Sequence, residues 1–265
     1  QIARHKRRAT SLKDVRYAKL PTMNSIWRCI SIDSIQLKSG QSEYTFFDSR
    51  ISGNDPVLNT EEPDLVKIIQ RNRDFLELLL KEAGFGYYSH CYTNVPRSLL
   101  SRDRKHGDID LVVSSAQEPP KLASIEFKRV KVRALDARED KINKLGSLAT
   151  FRHQLEDRLT LGFHINLGVI LVHGDIGQRP RPNTILQSYS EDTANQIFAT
   201  ISDTLSGVPS EVGILIARYE HPTTENRRVN FCVKLLKSAE PVPQKRELTD
   251  LFLNFKNSET SGNFA

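Results

Sequence analysis

The residues best placed to do chemistry lie between Gly107 and Arg133, on two short apolar segments, GDIDLVV and ASIEFKRVKVR. In the first, Ile109, Leu111 and Val113 alternate with Asp108, Asp110 and Val112, the period of a half-buried strand. In the second, Ile125 and Phe127 point one way while Glu126 and Lys128 point the other. The connection through Glu118-Pro119-Pro120 suits an antiparallel pairing of the two. Paired in this way, Asp110, Glu126 and Lys128 converge on one face. Two carboxylates there make a hard oxygen site for Mg²⁺ or Mn²⁺, with an ammonium beside it. A Glu and a Lys two apart on a strand also form simple exposed ion pairs of little value. The preceding glycine, the order of the two strands and a helical segment ahead of them give the pattern its weight.

The constellation resembles the PD-(D/E)xK nuclease superfamily, the restriction-endonuclease-like fold, over residues 60–175. The core motif of that superfamily is an aspartate, a variable gap and Glu-x-Lys, and one common first half reads Gly-x-Ile-Asp. Gly107-Asp108-Ile109-Asp110 fits that form, which makes Asp110 and not Asp108 the motif aspartate; Glu126 and Lys128 match the second half. The resemblance implies metal-dependent hydrolysis of nucleic-acid phosphodiester bonds, those of DNA in the first place, by an endonuclease. Asp110 and Glu126 would hold one or two Mg²⁺ (or Mn²⁺) ions, with the backbone carbonyl of Phe127 as a further ligand. Lys128 would orient the attacking water or stabilise developing charge. Such nucleases often need two active sites to cut both strands, so a homodimer belongs to the same expectation.

Two family features depart from the pattern. A first-helix acid often faces the metal site, and on the helix expected over 61–83 the position to inspect holds Asn72, with Asp74 on the opposite face and Glu77 on the flank. Members similar to the RecB nuclease carry a glutamine on the second helix and a tyrosine four residues later. Here Gln154 is followed by Arg158, and Gln154 lies off the apolar stripe, as an exposed helical glutamine does. These departures leave open a catalytically idle relative that acts as a nucleic-acid-binding or protein-interaction module.

Charge is distributed unevenly. Residues 1–20 carry seven basic side chains (Arg4, Lys6, Arg7, Arg8, Lys13, Arg16, Lys19) against Asp14, so the whole net charge of +6 sits there. This arm suits a phosphate backbone or a solvated tail. Within the body, Arg97, Arg102, Arg104, Lys105 and His106 lead into the aspartate strand, and Arg129, Lys131 and Arg133 follow Glu-x-Lys. Basic residues flanking an acidic centre suit a phosphodiester substrate; singly, each also suits a charged strand edge.

The 265 residues, 38% of them apolar, allow one substantial domain. The expected divisions are a basic arm over 1–22, a β-hairpin region over 23–58, an α/β domain over 59–256 and a flexible tail over 257–265. The hairpin rests on Trp27, Ile30, Ile32, Tyr44 and Phe46, either as an accessory sheet or as extra strands on the main one. Further strands are expected over 85–92, 166–172, 212–217 and 229–236, and helices over 136–161, 190–205 and 248–255. This order predicts an α/β fold, a mixed sheet flanked by helices with the αβββαβ core that the resemblance implies. No apolar run is long enough to span a membrane, and no signal peptide is visible. Cys29, Cys91 and Cys232 are few and widely spaced, a pattern that predicts neither zinc nor a disulfide framework. An intracellular protein of cytoplasm, nucleoid or nucleus follows. GxxxxGK[ST] and Gly-x-Ser-x-Gly are both absent, which argues against a nucleotide cofactor and a serine hydrolase.

Overall fold

The structure, a computed structural model, describes residues 27–33, 62–102, 105, 107–134, 140–174, 191–220 and 228–262. Along the chain run β1 (Arg28–Asp33), α1 (Glu62–Arg71), α2 (Arg73–Glu82), β2 (Tyr88–Pro96), β3 (Asp108–Ser115), β4 (Leu122–Ala134) and β5 (Asp140–Asn143). They are followed by α3 (Leu148–Leu159), β6 (Ile165–Gly174), α4 (Glu191–Leu205), β7 (Val212–Glu220), β8 (Arg228–Lys237) and α5 (Arg246–Gly262). Seven strands form one mixed sheet in the order β1-β8-β7-β6-β4-β3-β2, and β5 attaches to β4. β4, β6 and β7 are mutually parallel, and the outer pairings are antiparallel.

Helices cover both faces because the central strands are apolar on both. Leu65, Ile69, Phe75 and Leu79 of α1 and α2 pack with Ile125, Phe127 and Val169. Phe151 and Leu155 of α3 and Ile197 and Ile201 of α4 pack with Val130, Ile170 and Ile216 on the other face. Phe252 of α5 joins Val112 and Phe163 in a third cluster toward the β2–β3 side. No helix among the described residues is long and apolar enough to cross a membrane.

Several sequence expectations are corrected. The helix expected over 61–83 is two helices, because Asn72 is extended (φ −95°, ψ 95°) and caps α2, its Oδ1 accepting from the Phe75 N–H at 3.0 Å. The helix expected from 136 begins at Leu148. Before it β4 runs on to Ala134 and β5 pairs back onto it, Lys131 opposite Asn143. Residues 257–262 continue α5 and do not fray into a tail. β1 is an extra strand on the main sheet, paired with β8, while its expected hairpin partner lies outside the described residues, as does the basic arm. Finally, Cys29 and Cys232 are direct cross-strand neighbours joined in a disulfide, with Cα atoms 4.1 Å apart. Their separation of 203 residues hides that adjacency from any spacing rule.

Candidate active site

The site forms where one edge of β4 loses its neighbour. β6 pairs with β4 from Ala123 to Val132 without interruption. On the opposite edge, the β3 register ends at Leu111 opposite Ile125, and β5 takes over only at Lys131. Between them the backbone N–H groups that would have met a strand are met by acids. Asp110 Oδ2 accepts from the Phe127 N–H at 2.7 Å, and Glu62 Oε2 accepts from the Arg129 N–H at 2.5 Å. Buried N–H groups need an acceptor, so the two carboxylates complete the strand that β3 abandons.

Two glycines allow this geometry. Gly107, at the entry to β3, has φ +116°, a conformation that L side chains rarely adopt, and its carbonyl accepts from the Arg97 N–H at 2.9 Å. Gly168 of β6 lies beside Glu126 in the parallel register, and a Cβ there would stand 2.8 Å from Leu155 Cδ1. Its missing side chain lets α3 lie close against the sheet. Arg158, one turn beyond Leu155, then reaches Glu126.

The result is a cleft of about 420 Å³ whose walls include Glu62 from the start of α1, Asp110, Glu126 and Lys128 from the sheet, and Gln154 and Arg158 from α3. Asp110, Glu126 and Lys128 therefore share one cleft, as the alternation of β3 and β4 predicts. Gln154 is exposed, as expected, but its exposed face is the one that lines the cleft. Glu126 is buried and Lys128 half-buried, the ammonium 3.8 Å from Glu62 Oε1. Arg158 Nε donates to Glu126 Oε1 at 2.6 Å, and its Nη2 donates to the Asp108 carbonyl at 2.7 Å. At the far wall, Asp157 takes ion pairs from buried Arg97 and exposed Lys105.

These surroundings shift the acids apart. Burial, then the neighbouring Asp110 charge, pushes Glu126 up to about 7 against the pull of Arg158. Burial also raises Asp110, opposed first by the hydrogen bond from Phe127. Asp157 also feels its burial, yet the hydrogen bonds from Lys105 and Arg97 hold it below the usual carboxylate range.

The remaining expected site residues are placed as follows. Asn72 is the α2 cap, Asp74 is exposed in the first turn of α2, and Glu77 pairs with Arg73 at 2.7 Å; none lines the cleft. The acid that does is Glu62, which sequence reasoning missed. Its signal was an acid in front of Pro63 at a helix start, a position favoured for both residues. Arg129, expected at the surface, is fully buried, since it shares the core-facing side of β4 with Ile125 and Phe127. Arg102 is exposed and pairs with Glu247 at 3.2 Å. Arg104 and the side chain of Lys131 lie outside the described residues.

Among the described residues no three His, Cys, Asp or Glu side chains come together as a ready metal cage. Asp110, Glu126 and Glu62 each have one oxygen engaged, with Phe127, Arg158 and Arg129 respectively, and a second oxygen besides. The donor chemistry nonetheless suits a hard divalent cation. Glu62, Asp110 and Glu126 line one cleft, and burial holds the last two above their ordinary range. Phe127 brings only backbone atoms to such a centre, because its ring is buried in the core.

Compared with known proteins, the chain matches no protein-family model and no curated protein.

Proposed function

We propose that the protein is a metal-dependent nuclease of the PD-(D/E)xK type that hydrolyses phosphodiester bonds of nucleic acid, DNA in the first place. The observation that carries this reading is the convergence of Asp110, Glu126 and Lys128 on one cleft at the interrupted edge of β4. The order α-α-β-β-β-α-β over residues 62–174, leaving aside the short β5, supports the reading in so far as α1 and α2 together stand for the first helix of a restriction-endonuclease-like core. Asp110 and Glu126, joined by Glu62 and the Phe127 carbonyl, are the residues that would hold Mg²⁺ or Mn²⁺. The cation supplies Lewis acidity toward a phosphate oxygen and acidity to a bound water. Lys128 presents a fixed positive charge at the cleft wall, where it orients the nucleophile and meets charge developing on phosphate. Lys105 and Arg102, which pair with Asp157 and Glu247, would exchange those partners for backbone phosphates, the second copy of a homodimer would serve the second strand, and an intracellular location goes with that substrate.

A second reading is a catalytically idle module that binds nucleic acid or protein. It is favoured by one observation, the engagement of Glu126 by Arg158. The deciding experiment is cleavage of supercoiled plasmid, single-stranded DNA and RNA with Mg²⁺, Mn²⁺ or EDTA, comparing wild type with Lys128→Ala. The nuclease reading expects cleavage that needs the cation and falls by about a hundredfold or more in the variant. Nucleic-acid affinity without cleavage under any cation selects the idle module.

A further inference from the structure

We infer that Arg158 is a positioning residue: it holds Glu126 as a built-in counter-cation and competes with the divalent cation for that carboxylate. The inference rests on the nuclease reading and adds a means of regulating its metal site. Arg158 is anchored on three sides. Its Nε donates to Glu126 Oε1 at 2.6 Å, its Nη2 donates to the Asp108 carbonyl at 2.7 Å, and its Nη1 stands 4.0 Å from Asp157 Oδ2. Both partners of the Glu126 contact are buried, so solvent screens it little. The guanidinium offers a fork that matches a carboxylate. Among the described residues, the other cationic side chain lining the cleft, Lys128, lies toward Glu62, 3.8 Å from its Oε1. Arg158 is thus the side chain that keeps the buried Glu126 carboxylate compensated and fixed in orientation.

A doubly charged ion on Glu126 would meet the guanidinium at close range, and like charges in a poorly screened site repel strongly. Arg158 therefore lowers the resting affinity for the cation while keeping the ligand in place. Substrate phosphate, carrying negative charge into the cleft, gives the guanidinium a further anionic partner and relieves that competition. Its position at the site is set by α3, whose approach depends on Gly168.

The test is a cation titration of the full chain read by thermal unfolding, with Mg²⁺ and Mn²⁺, at about pH 8.5. Arg158→Gln should bind Mg²⁺ about tenfold more tightly than wild type, or better, although it melts lower in EDTA. Arg158→Lys keeps the charge and should stay within about threefold of wild type. A merely structural arginine would give the opposite, cation binding weakened or unchanged in Arg158→Gln, and that result overturns the inference while leaving the nuclease reading intact. Should Arg158→Gln fail to fold, Arg158→Lys decides alone, and a loss of affinity beyond about tenfold refutes competition. If wild type and both variants show no response to either cation, the nuclease reading and the inference fall together.

Discussion

Glu126→Gln in the absence of divalent cations should change the pH dependence of stability in a direction the structure fixes. Burial and the nearby Asp110 raise the Glu126 carboxyl from 4.5 to about 7 in the folded chain. A carboxyl raised on folding binds its proton more tightly in the folded state, so stability falls as pH climbs from the ordinary carboxylate range toward 7. The gap between 4.5 and about 7 corresponds to about 3–4 kcal/mol, at about 1.4 kcal/mol per pH unit, of which about 3 kcal/mol falls between pH 4.5 and 8. Glutamine cannot ionise, so the variant lacks this loss. Removing the ionisable partner of Arg158 contributes an offset that does not vary with pH in the variant. The difference in melting temperature, wild type minus Glu126→Gln, should therefore drop by about 6–12 °C between pH 4.5 and 8, measured by thermal unfolding in EDTA. A flat difference curve would show that Glu126 is not raised by burial. A curve rising with pH would show that the Arg158 pair outweighs desolvation, and would refute the electrostatic account of the site.

Glu62→Ala should cost about 1–3 kcal/mol by leaving the Arg129 N–H without its acceptor, whereas Glu62→Gln should keep most of that stability and still weaken the thermal response to Mg²⁺. Equal melting temperatures for wild type and Glu62→Ala would remove Glu62 from the strand edge. The Cys29–Cys232 disulfide closes a long loop, so reduction should lower stability by up to about 5 kcal/mol in the chain-entropy account. Mass spectrometry of unreduced protein should find one disulfide and one thiol, Cys91, which burial raises to about 12. Two or more free thiols in protein isolated without reductant would contradict the bridge, and would fit an intracellular location better.

The central part of the fold was legible because period-two alternation is a local property. It gave β3, β4 and the shared face of Asp110, Glu126 and Lys128, and the unbroken apolar run of β6 marked a strand buried on both sides. Read strictly, the same alternation also buries Arg129, since it follows Ile125 and Phe127 on their side of the strand; composition alone had suggested a surface cluster. Glu62 was not legible as a site residue, because its role depends on an N–H group 67 positions away that has lost its strand partner. The break at Asn72 was hidden by a continuous apolar stripe, which constrains faces and not whether the backbone between them is continuous. Arg158 was visible only as a mismatch with a family tyrosine. Its contact with Glu126 requires the depth of α3 on Gly168, which no pattern within the helix encodes.

The strand edge shared by Asp110 and Glu62 also gives the protein two natural reporters. Each carboxylate protects one amide proton, that of Phe127 or that of Arg129, and both amides lie outside the β3 and β5 ladders. Whatever draws those acids toward the cleft loosens its own amide and leaves the neighbouring rungs, from Leu111–Ile125 and from Lys131–Asn143, undisturbed. Hydrogen exchange at two adjacent odd-numbered positions of β4 would then record the occupancy of each acid separately, without any label and without turnover.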